Sequence, residues 1–263
     1  MPDKFMDILA NKVVIITGAS SGIGRATALA LAQRGARLCL LARSEKSLVE
    51  VAIQAEARGA RDVCCLACDV REEEAVTQAV ATAIETFDRI DILINSAGLS
   101  LNGDVDGYAL DDWRTVIETN LTGTFLTCRA VLPQMKRQKA GEIINISSGA
   151  GRNGIKQMAA YCASKFGVIG FTESLSLEVR NQNIRVSSLL PGSVATDFSR
   201  VAKRQGQDGQ QATDIGYSMT AEEVASVIVA MLEQPRQAWT SEVILRPLNT
   251  ELRRSTTQNN KSD

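Results

Sequence analysis

In this chain of 263 residues, short apolar runs alternate regularly with longer amphipathic stretches. This alternation restricts the possible folds more than any other feature of the sequence. The first six runs are almost continuously hydrophobic, which is typical of strands that helices cover on both faces. Strands that alternate with helices predict a single, doubly wound α/β domain with a mostly parallel sheet of about seven strands. The predicted strands are Val13–Thr17, Arg37–Ala42, Val63–Cys68, Ile92–Asn95, Glu142–Ser147, Arg185–Leu190 and Glu242–Leu245. The predicted helices are Gly24–Arg34, Lys46–Arg58, Glu72–Phe87, Leu110–Lys136, Ala159–Asn181 and Ala221–Glu233.

The composition excludes several classes of protein. The chain contains no histidine, which removes Ser-His-Asp hydrolases, Cys-His proteases and metal sites built on imidazole. A net charge of −1 gives no reason to expect a nucleic acid or a membrane as a partner. The sequence shows neither a secretory signal before the predicted fold nor an apolar run of roughly 20 residues, so we expect a cytoplasmic protein.

The six cysteines are better explained as buried free thiols than as a metal or redox site. Cys65 and Cys68 do have the C-x-x-C spacing of a redox pair or of half a zinc site. They lie, however, in the apolar run Val63–Cys68, and no second pair of ligands follows it. Small thiols are common in protein cores, so we expect no metal.

A single domain is expected over residues 1–252, followed by a polar tail, Arg253–Asp263, that we expect to be disordered. Two segments break the alternation. Gly149–Met158 is rich in glycine, and Ser193–Met219 is longer than a usual connection. Both follow the carboxyl ends of predicted strands, where ligands bind to such sheets. Since long connections usually form lids or disordered segments, we expect Ser193–Met219 to close over a substrate.

A glycine-rich turn, Thr17–Gly24, follows the first strand and opens an amphipathic helix. Gly18, Gly22 and Gly24 would allow a tight turn, the close approach of a pyrophosphate, and close packing of helix on strand. The helix N-terminus would then offer backbone N–H groups to phosphate oxygens. This arrangement predicts a Rossmann-type dinucleotide site, the alternative being an ordinary glycine-rich turn.

A tyrosine and a lysine four positions apart offer acid/base chemistry to a chain without histidine. Tyr161 and Lys165 share one face of their predicted helix. Free tyrosine titrates near pH ~10, and an adjacent ammonium lowers that pKa by stabilising the phenolate. Ser148, at the end of the fifth strand, could hold a substrate oxygen. The alternative is a surface tyrosine, a solvated lysine and a serine that caps the next turn, a role that better fits Ser147.

Several segments, in the same order along the chain, resemble motifs of the short-chain dehydrogenase/reductase family. The turn has the family's T-G-x-x-x-G-x-G spacing, and Ser148 lies thirteen positions before Tyr161, as in the family. One segment departs from the pattern, because Ser96 replaces the second asparagine of N-N-A-G. The similar segments are Thr17–Gly24, Asn95–Gly98, Asn120 within its helix, Ile146–Ser148, Tyr161–Lys165 (Y-x-x-x-K) and Pro191–Thr196 (P-G-x-V-x-T).

The resemblance implies an oxidoreductase that moves a hydride between a nicotinamide cofactor and a carbonyl or alcohol carbon. Tyr161 would exchange the proton, Lys165 would tune it and bind the nicotinamide ribose, and Ser148 would hold the substrate oxygen. Asn120 would bend its helix and hold a water in a proton relay behind the lysine, and Thr196 would bond the nicotinamide carboxamide. The residues expected to bind the cofactor are Gly18, Ser20, Ser21, Gly22, Ile23, Gly24, Arg43, Ser44, Asp69, Val70, Asn95, Ala97, Gly98, Tyr161, Lys165, Pro191, Gly192, Val194 and Thr196.

The end of the second strand predicts which cofactor is used. Proteins that read NAD place a carboxylate there for the ribose 2′-hydroxyl. This chain has Ala42-Arg43-Ser44 instead. The guanidinium of Arg43 suits a 2′-phosphate, and Ser20 and Ser44 could add hydrogen bonds, so NADP(H) is the expected cofactor. A surface arginine without a ligand is the alternative.

The substrate is left open by the sequence. A reductase of acyl-carrier-protein or coenzyme A thioesters and a reductase of small aldehydes, ketones or hydroxy acids are both compatible with the motifs. The ending Ser241–Leu248 lacks the glycines typical of acyl-carrier-protein reductases and looks more like the small-carbonyl type. An NADPH-binding sensor or scaffold is a third hypothesis, which the intact Ser148, Tyr161 and Lys165 disfavour.

A homodimer or homotetramer is expected. The two longest predicted helices, Leu110–Lys136 and Ala159–Asn181, carry more apolar surface than one sheet face needs. The family resemblance implies that such helices pair between subunits as a four-helix interface.

Overall fold

The computed structural model describes residues 8–196, 218–235 and 237–248. The strands are β1 Val13–Thr17, β2 Arg37–Ala42, β3 Asp62–Ala67, β4 Ile92–Asn95, β5 Gly141–Ile146, β6 Ile184–Pro191, β7 Val194–Ala195, β8 Met219–Thr220 and β9 Glu242–Leu245. The α-helices are α1 Gly22–Ala32, α2 Glu45–Ala57, α3 Glu73–Phe87, α4 Leu110–Ile117, α5 Gly123–Gln138, α6 Ala159–Val179 and α7 Ala221–Leu232. Short 3-10 turns cover Val105–Gly107, Gly149–Gly151 and Arg180–Gln182.

Seven strands form one parallel sheet in the order β3-β2-β1-β4-β5-β6-β9, which confirms the predicted doubly wound fold. The chain starts near the middle of the sheet, builds outward through β2 and β3, and then crosses to β4 on the other side of β1. The crossover places a topological switch point between β1 and β4, where sheets of this kind leave room for a ligand beyond their carboxyl ends.

Helices cover both faces of the sheet, as the continuous apolar strands predict. All five residues of β1 are buried. Val14 and Ile16 pack with α1, α2 and α7, whereas Val13 and Ile15 pack with α3, α5 and α6. Because neighbouring residues of a strand point to opposite faces, one apolar strand serves two separate cores.

The single helix predicted over Leu110–Lys136 is wrong in detail. A π turn, Glu118–Thr122, separates α4 from α5. Asn120 occupies this turn, and its side chain bonds to the loop that follows β4 instead of facing solvent. One extra residue in a turn changes the spacing of apolar residues too little to be recognised in the sequence, so the pattern does not predict the interruption.

The predicted lid lies mostly outside the described residues, as does the tail Arg253–Asp263. Its two ends are described. They meet as the short parallel pair β7 and β8, with Val194 opposite Met219, and the Met219 amide donates to the Ser193 carbonyl at 2.9 Å. None of the described helices is long and apolar enough to cross a membrane.

One buried hydroxyl has no partner among the described residues, and it gives a test of the packing. Thr27 in α1 is fully buried, and its Oγ1 makes no hydrogen bond. Thr27→Val replaces an unsatisfied hydroxyl with a methyl group of similar size. We expect the free energy of unfolding to rise by up to about 1 kcal/mol, measured by urea denaturation.

Thr172 in α6 is the matched control. It is equally buried, but its Oγ1 donates to the Val168 carbonyl and accepts a hydrogen bond from Asn145 at 2.9 Å. Thr172→Val leaves the asparagine amide unpaired, so the free energy of unfolding should fall by about 1–3 kcal/mol. Equal losses in the two variants would contradict this account.

Candidate active site

A cavity of about 1250 Å³ runs along the carboxyl edge of the sheet, across the switch point between β1 and β4. Of the predicted site residues, it is lined by Gly18, Ser20, Ser21, Gly22, Ile23, Arg43, Ser44, Asp69, Val70, Ala97, Gly98, Ser148, Tyr161, Lys165, Pro191, Gly192, Val194 and Thr196. Gly24, Asn95 and Asn120 do not line it. A smaller cavity of about 460 Å³ lies at the opposite edge, beside the first residues of β2 and β3, and contains none of these residues.

The glycine turn has the geometry of a cradle for phosphate. Gly18 has φ 64°, and a Cβ there would lie 2.8 Å from the backbone of Ala97. A Cβ on Gly24 would lie 2.4 Å from the Gly18 carbonyl oxygen, so neither position accepts a side chain. Thr17 fastens the turn to the loop after β4, because its Oγ1 accepts the amides of Ser96 and Ala97 at 3.1 Å.

The N-terminus of α1 opens into this cradle. The Ser21 side chain makes no capping hydrogen bond, and the first turn of the helix carries no acidic residue. Backbone N–H groups and the positive end of the helix dipole therefore face the cavity, an environment that suits phosphate oxygens. The residues present thus fit the diphosphate of a dinucleotide.

The end of the cavity beside β2 is lined by Arg43, Ser44 and Asp69. Ser44 is also the N-cap of α2, since its Oγ accepts the Ser47 amide at 3.3 Å. Hydrogen bonds from Arg71 hold the pKa of Asp69 below its ordinary value, and Arg43 adds a weaker attraction. Arg43 is exposed, and no described carboxylate is paired with it.

Two hydrogen bonds join the end of β5 to the helix that carries Tyr161. The ammonium of Lys165 donates to the Ile146 carbonyl at 2.8 Å, and Ser147 Oγ donates to the Lys165 carbonyl at 2.9 Å. Ser148 Oγ accepts the Ala150 amide at 3.1 Å. The prediction that Ser147 caps this turn is wrong, since Ser148 does so and Ser147 instead anchors the helix.

Burial sets the ionisation of the tyrosine–lysine pair. Tyr161 is 8% and Lys165 5% exposed. Burial raises the pKa of Tyr161 to about 12, although a hydrogen bond with Ser148 lowers it, and burial lowers the pKa of Lys165 to about 8. The expected lowering of the tyrosine pKa by the lysine is therefore absent here. The Lys165 ammonium bonds to a backbone carbonyl and lies 5.7 Å from the centre of the Tyr161 ring.

Asn120 lies behind the cavity wall and is fully buried. Its Oδ1 accepts the Leu99 amide at 2.8 Å, and its Nδ2 donates to the Leu99 carbonyl at 2.9 Å and to Ser164 Oγ at 3.0 Å. Ser164 Oγ in turn donates to the Tyr161 carbonyl at 2.7 Å. Asn120 thus ties the loop after β4 to the helical turn that carries the tyrosine. Its burial shows that Asn120 does not face solvent, and the proton relay stays a prediction.

Asn95, expected at the cofactor, lies in a polar network inside the core. Its Nδ2 donates to Asn145 Oδ1 at 2.9 Å, and its Oδ1 accepts a hydrogen bond from Thr127 at 2.7 Å. Asn145 is the partner of Asn95 in the register of β4 and β5, and it also donates to Thr172. The polar atoms of the Asn95 side chain are therefore paired inside the core, and the side chain points away from the cavity.

Sequence reasoning gave no role to several polar residues of the site, among them Thr17, Arg71 and Arg246. Thr17 and Arg71 hold other residues in place, and Arg246 lines the cavity directly. Thr17 is the first residue of the glycine turn and Arg71 follows Asp69 by two positions, so proximity in the chain could have indicated both. Arg246 lies immediately after β9, a strand end of the kind that lines such cavities.

The six cysteines are free thiols, as expected, and four of them are buried. Cys64 and Cys65 are only half-buried, so the expected burial is wrong for these two, because β3 is the edge strand of the sheet. Among the described residues, no group of three His, Cys, Asp or Glu side chains could hold a metal ion.

Comparison with known proteins identifies the family. The model of the short chain dehydrogenase family matches residues 12–207. A 3-oxoacyl-(acyl-carrier-protein) reductase of Synechocystis sp. is 40% identical over 74% of this chain and 78% of its own length. A trans-4-hydroxycyclohexanecarboxylate dehydrogenase of Sinomonas cyclohexanicum is 39% identical over 86% of this chain and 87% of its own length.

Solved structures of similar fold contain both nicotinamide cofactors. A metagenomic short-chain oxidoreductase in complex with NADP has a TM-score of 0.78 and 32% identity, covering 92% of this chain and 99% of that one. An NAD+-bound xylitol dehydrogenase has a TM-score of 0.81 and 30% identity, covering 91% of this chain and 99% of that one. The chain therefore belongs to the short-chain dehydrogenase/reductase family and is an oxidoreductase that acts on CH–OH and C=O groups.

Proposed function

We propose that this enzyme reduces a carbonyl, or oxidises the corresponding alcohol, with NADP(H) as the cofactor and Tyr161 as the proton donor or acceptor. One observation carries the proposal: Ser148, Tyr161 and Lys165 line the same cavity as the glycine turn. When bound, the nicotinamide supplies or accepts the hydride. The glycine turn and the N-terminus of α1 would hold its diphosphate.

Tyr161 would give its proton to the substrate oxygen during reduction. With burial raising its pKa to about 12, the phenol is protonated at neutral pH, which is the form that can give up a proton. Ser148, which hydrogen-bonds with this side chain, would hold the same substrate oxygen. Lys165, protonated for the most part at neutral pH, would stabilise the phenolate that the proton transfer leaves behind.

Arg43 would select the phosphorylated cofactor. Its guanidinium lines the cavity end beside β2, and the segment Ala42-Arg43-Ser44 that follows this strand offers no carboxylate to a ribose 2′-hydroxyl. The only acidic lining residue among those described is Asp69, and Arg71 already holds its carboxylate. A relative in complex with NADP supports this choice, whereas a second relative is bound to NAD+.

Reduction of a 3-oxoacyl thioester is the second candidate, since one relative carries that name. The relative that acts on a hydroxycyclohexane carboxylate supports a small, non-thioester substrate instead. An NADPH sensor without catalysis is disfavoured because the buried tyrosine–lysine pair is intact.

The chain would assemble as a homodimer or homotetramer through α5 and α6. Phe125 on α5 and Phe166 and Leu177 on α6 are apolar and between 41% and 60% exposed. Exposed aromatic and aliphatic residues on neighbouring helices are typical of subunit interfaces.

Tyr161→Phe should lower kcat by at least about 100-fold in both directions, because the proton donor is lost. NADPH binding, measured by fluorescence titration, should be unchanged, because the ring remains. Tyr108→Phe is the control: the Tyr108 hydroxyl donates to the Leu101 carbonyl and does not line the cavity, so its kcat should stay within about threefold. A Tyr161→Phe enzyme with wild-type kcat would exclude the assigned role.

Arg43→Ala should weaken the binding of NADPH by about tenfold or more and leave NADH unchanged, because a charge-assisted bond to the 2′-phosphate is lost. Calorimetry of both cofactors gives the comparison. Arg58→Ala removes an exposed arginine at the end of α2, at the opposite edge of the sheet, and should change neither affinity. Wild-type enzyme that binds both cofactors equally would rule out the preference.

Phe166→Glu should shift the protein toward monomer, because a charge on α6 would be buried at the interface. Sedimentation velocity at micromolar concentration measures the shift. Ile53→Glu, at an exposed apolar position on α2, should leave the assembly intact. Wild-type protein that sediments only as a monomer would contradict the proposal.

A further inference from the structure

Two arginines line the cavity near Ser148, well away from Arg43 and the glycine turn. Arg152 follows the 3-10 turn Gly149–Gly151, and Arg246 follows β9. A charged side chain in the wall of a cavity raises the local concentration of ligands of opposite charge, unless a protein partner neutralises it. The two arginines differ in this respect.

The charge of Arg152 is neutralised within the protein. Its guanidinium donates to both carboxylate oxygens of Glu242, at 2.7 and 2.6 Å. Glu242 is the first residue of β9, so this ion pair also links the edge strand to the turn after β5. Arg152 is therefore already engaged.

Arg246 is exposed, and among the described residues no carboxylate lies within ion-pair distance of its guanidinium. The one described acidic residue that lines the cavity is Asp69, at the far end and paired with Arg71. Within the described part of the chain, the cavity wall near Ser148 thus carries the positive charges of Arg246 and Lys165 without a free carboxylate to balance them.

The backbone places Arg246 near the turn that follows Ser148. The Gly192 amide donates to the Leu245 carbonyl at 2.8 Å, and a Cβ on Gly192 would lie 3.8 Å from the Arg246 Cα. A Cβ on Gly149, the neighbour of Ser148, would in turn lie 4.0 Å from the Gly192 Cα. Gly192 is therefore a common neighbour of Arg246 and of the turn that follows the serine.

We propose that Arg246 binds a carboxylate of the substrate, so that the substrates are small oxo acids and the corresponding hydroxy acids. This inference rests on the proposed function and names the substrate class of the same site. A guanidinium presents paired N–H donors that match the two oxygens of a carboxylate, and the walls of a partly enclosed cavity strengthen their attraction. An arginine at this place would orient the acid with its carbonyl toward Ser148 and Tyr161.

Matched pairs of substrates test the charge requirement. The probes are 4-oxopentanoate and 4-oxocyclohexanecarboxylate, each against its neutral methyl ester, with NADPH as the cofactor. Wild-type enzyme should have a kcat/KM for the acids at least about tenfold above that for the esters. Arg246→Gln should raise KM for the acids by about tenfold or more with a smaller effect on kcat, and leave the esters unchanged. Arg246→Lys should recover part of the loss.

A binding measurement separates this inference from the proposed function. In the Tyr161→Phe background with NADPH bound, calorimetry should detect the acids, and the added Arg246→Gln change should weaken their binding about tenfold. NADPH affinity should be the same with and without Arg246→Gln. Arg58→Gln, which removes the same charge at the opposite edge of the sheet, should change none of these values.

The outcomes are distinct. Equal losses for acids and esters would mean that Arg246 only shapes the wall, and weakened NADPH binding would assign it to the cofactor; either result overturns the inference. If Arg246→Gln raises KM only for acetoacetyl-coenzyme A, Arg246 binds the phosphates of coenzyme A and not a substrate carboxylate. That result would also overturn the inference. Acids that bind through Arg246 but are not reduced would uphold the inference and defeat the proposed function.

Discussion

The active site depends on the two hydrogen bonds that connect the end of β5 with α6. The side chain of Lys165 is almost fully buried, and a buried ammonium without a partner would be strongly destabilising. The Ile146 carbonyl supplies that partner at 2.8 Å, and Ser147 returns a bond to the backbone of the lysine. With the helix held against the strand at this point, Tyr161, one turn earlier, and Ser148, one residue beyond Ser147, have little freedom relative to each other. The contact that stabilises the buried lysine therefore also brings the tyrosine and the serine together.

Polar residues inside the core connect the tyrosine–lysine pair to the other half of the sheet. Asn120 bonds to the backbone of the loop after β4 on one side and to the α6 turn on the other, through Ser164. Thr17 bonds that same loop to the glycine turn. The cofactor cradle and the acid/base pair are therefore connected by side chains that never reach the cavity. Such fully satisfied buried networks specify one arrangement, because any other would leave polar atoms unpaired.

Reasoning from the sequence succeeded where a single physical rule dominates. The apolar run Val13–Thr17 could only be a strand covered on both faces, and the spacing of Tyr161 and Lys165 placed both on one side of a helix. It failed where two adjacent residues of the same type could fill one role, and where burial shifts a pKa against the effect of a nearby charge. Ser147 and Ser148 are chemically identical in the sequence, and only the direction of each side chain decides which one anchors the helix. The pKa of Tyr161 depends on how much water reaches it, which spacing along a helix does not report. The position of Asn95 in a motif predicted a cofactor ligand. Its side-chain amide instead donates a hydrogen bond to Asn145, which lies fifty residues later in the sequence.

The π turn between α4 and α5 has a consequence for how the gene can vary. A π turn holds one more residue than the α-helical turn that it replaces, so removing one residue from Glu118–Thr122 would restore a regular helix while α5 keeps its present orientation. The buried face of α5, with Leu126, Val131 and Met135, would stay against the sheet. What changes is the bulge that carries Asn120, whose side chain bonds to Leu99 in the loop after β4. A single-residue deletion in this stretch should therefore keep the fold and uncouple that loop from α6.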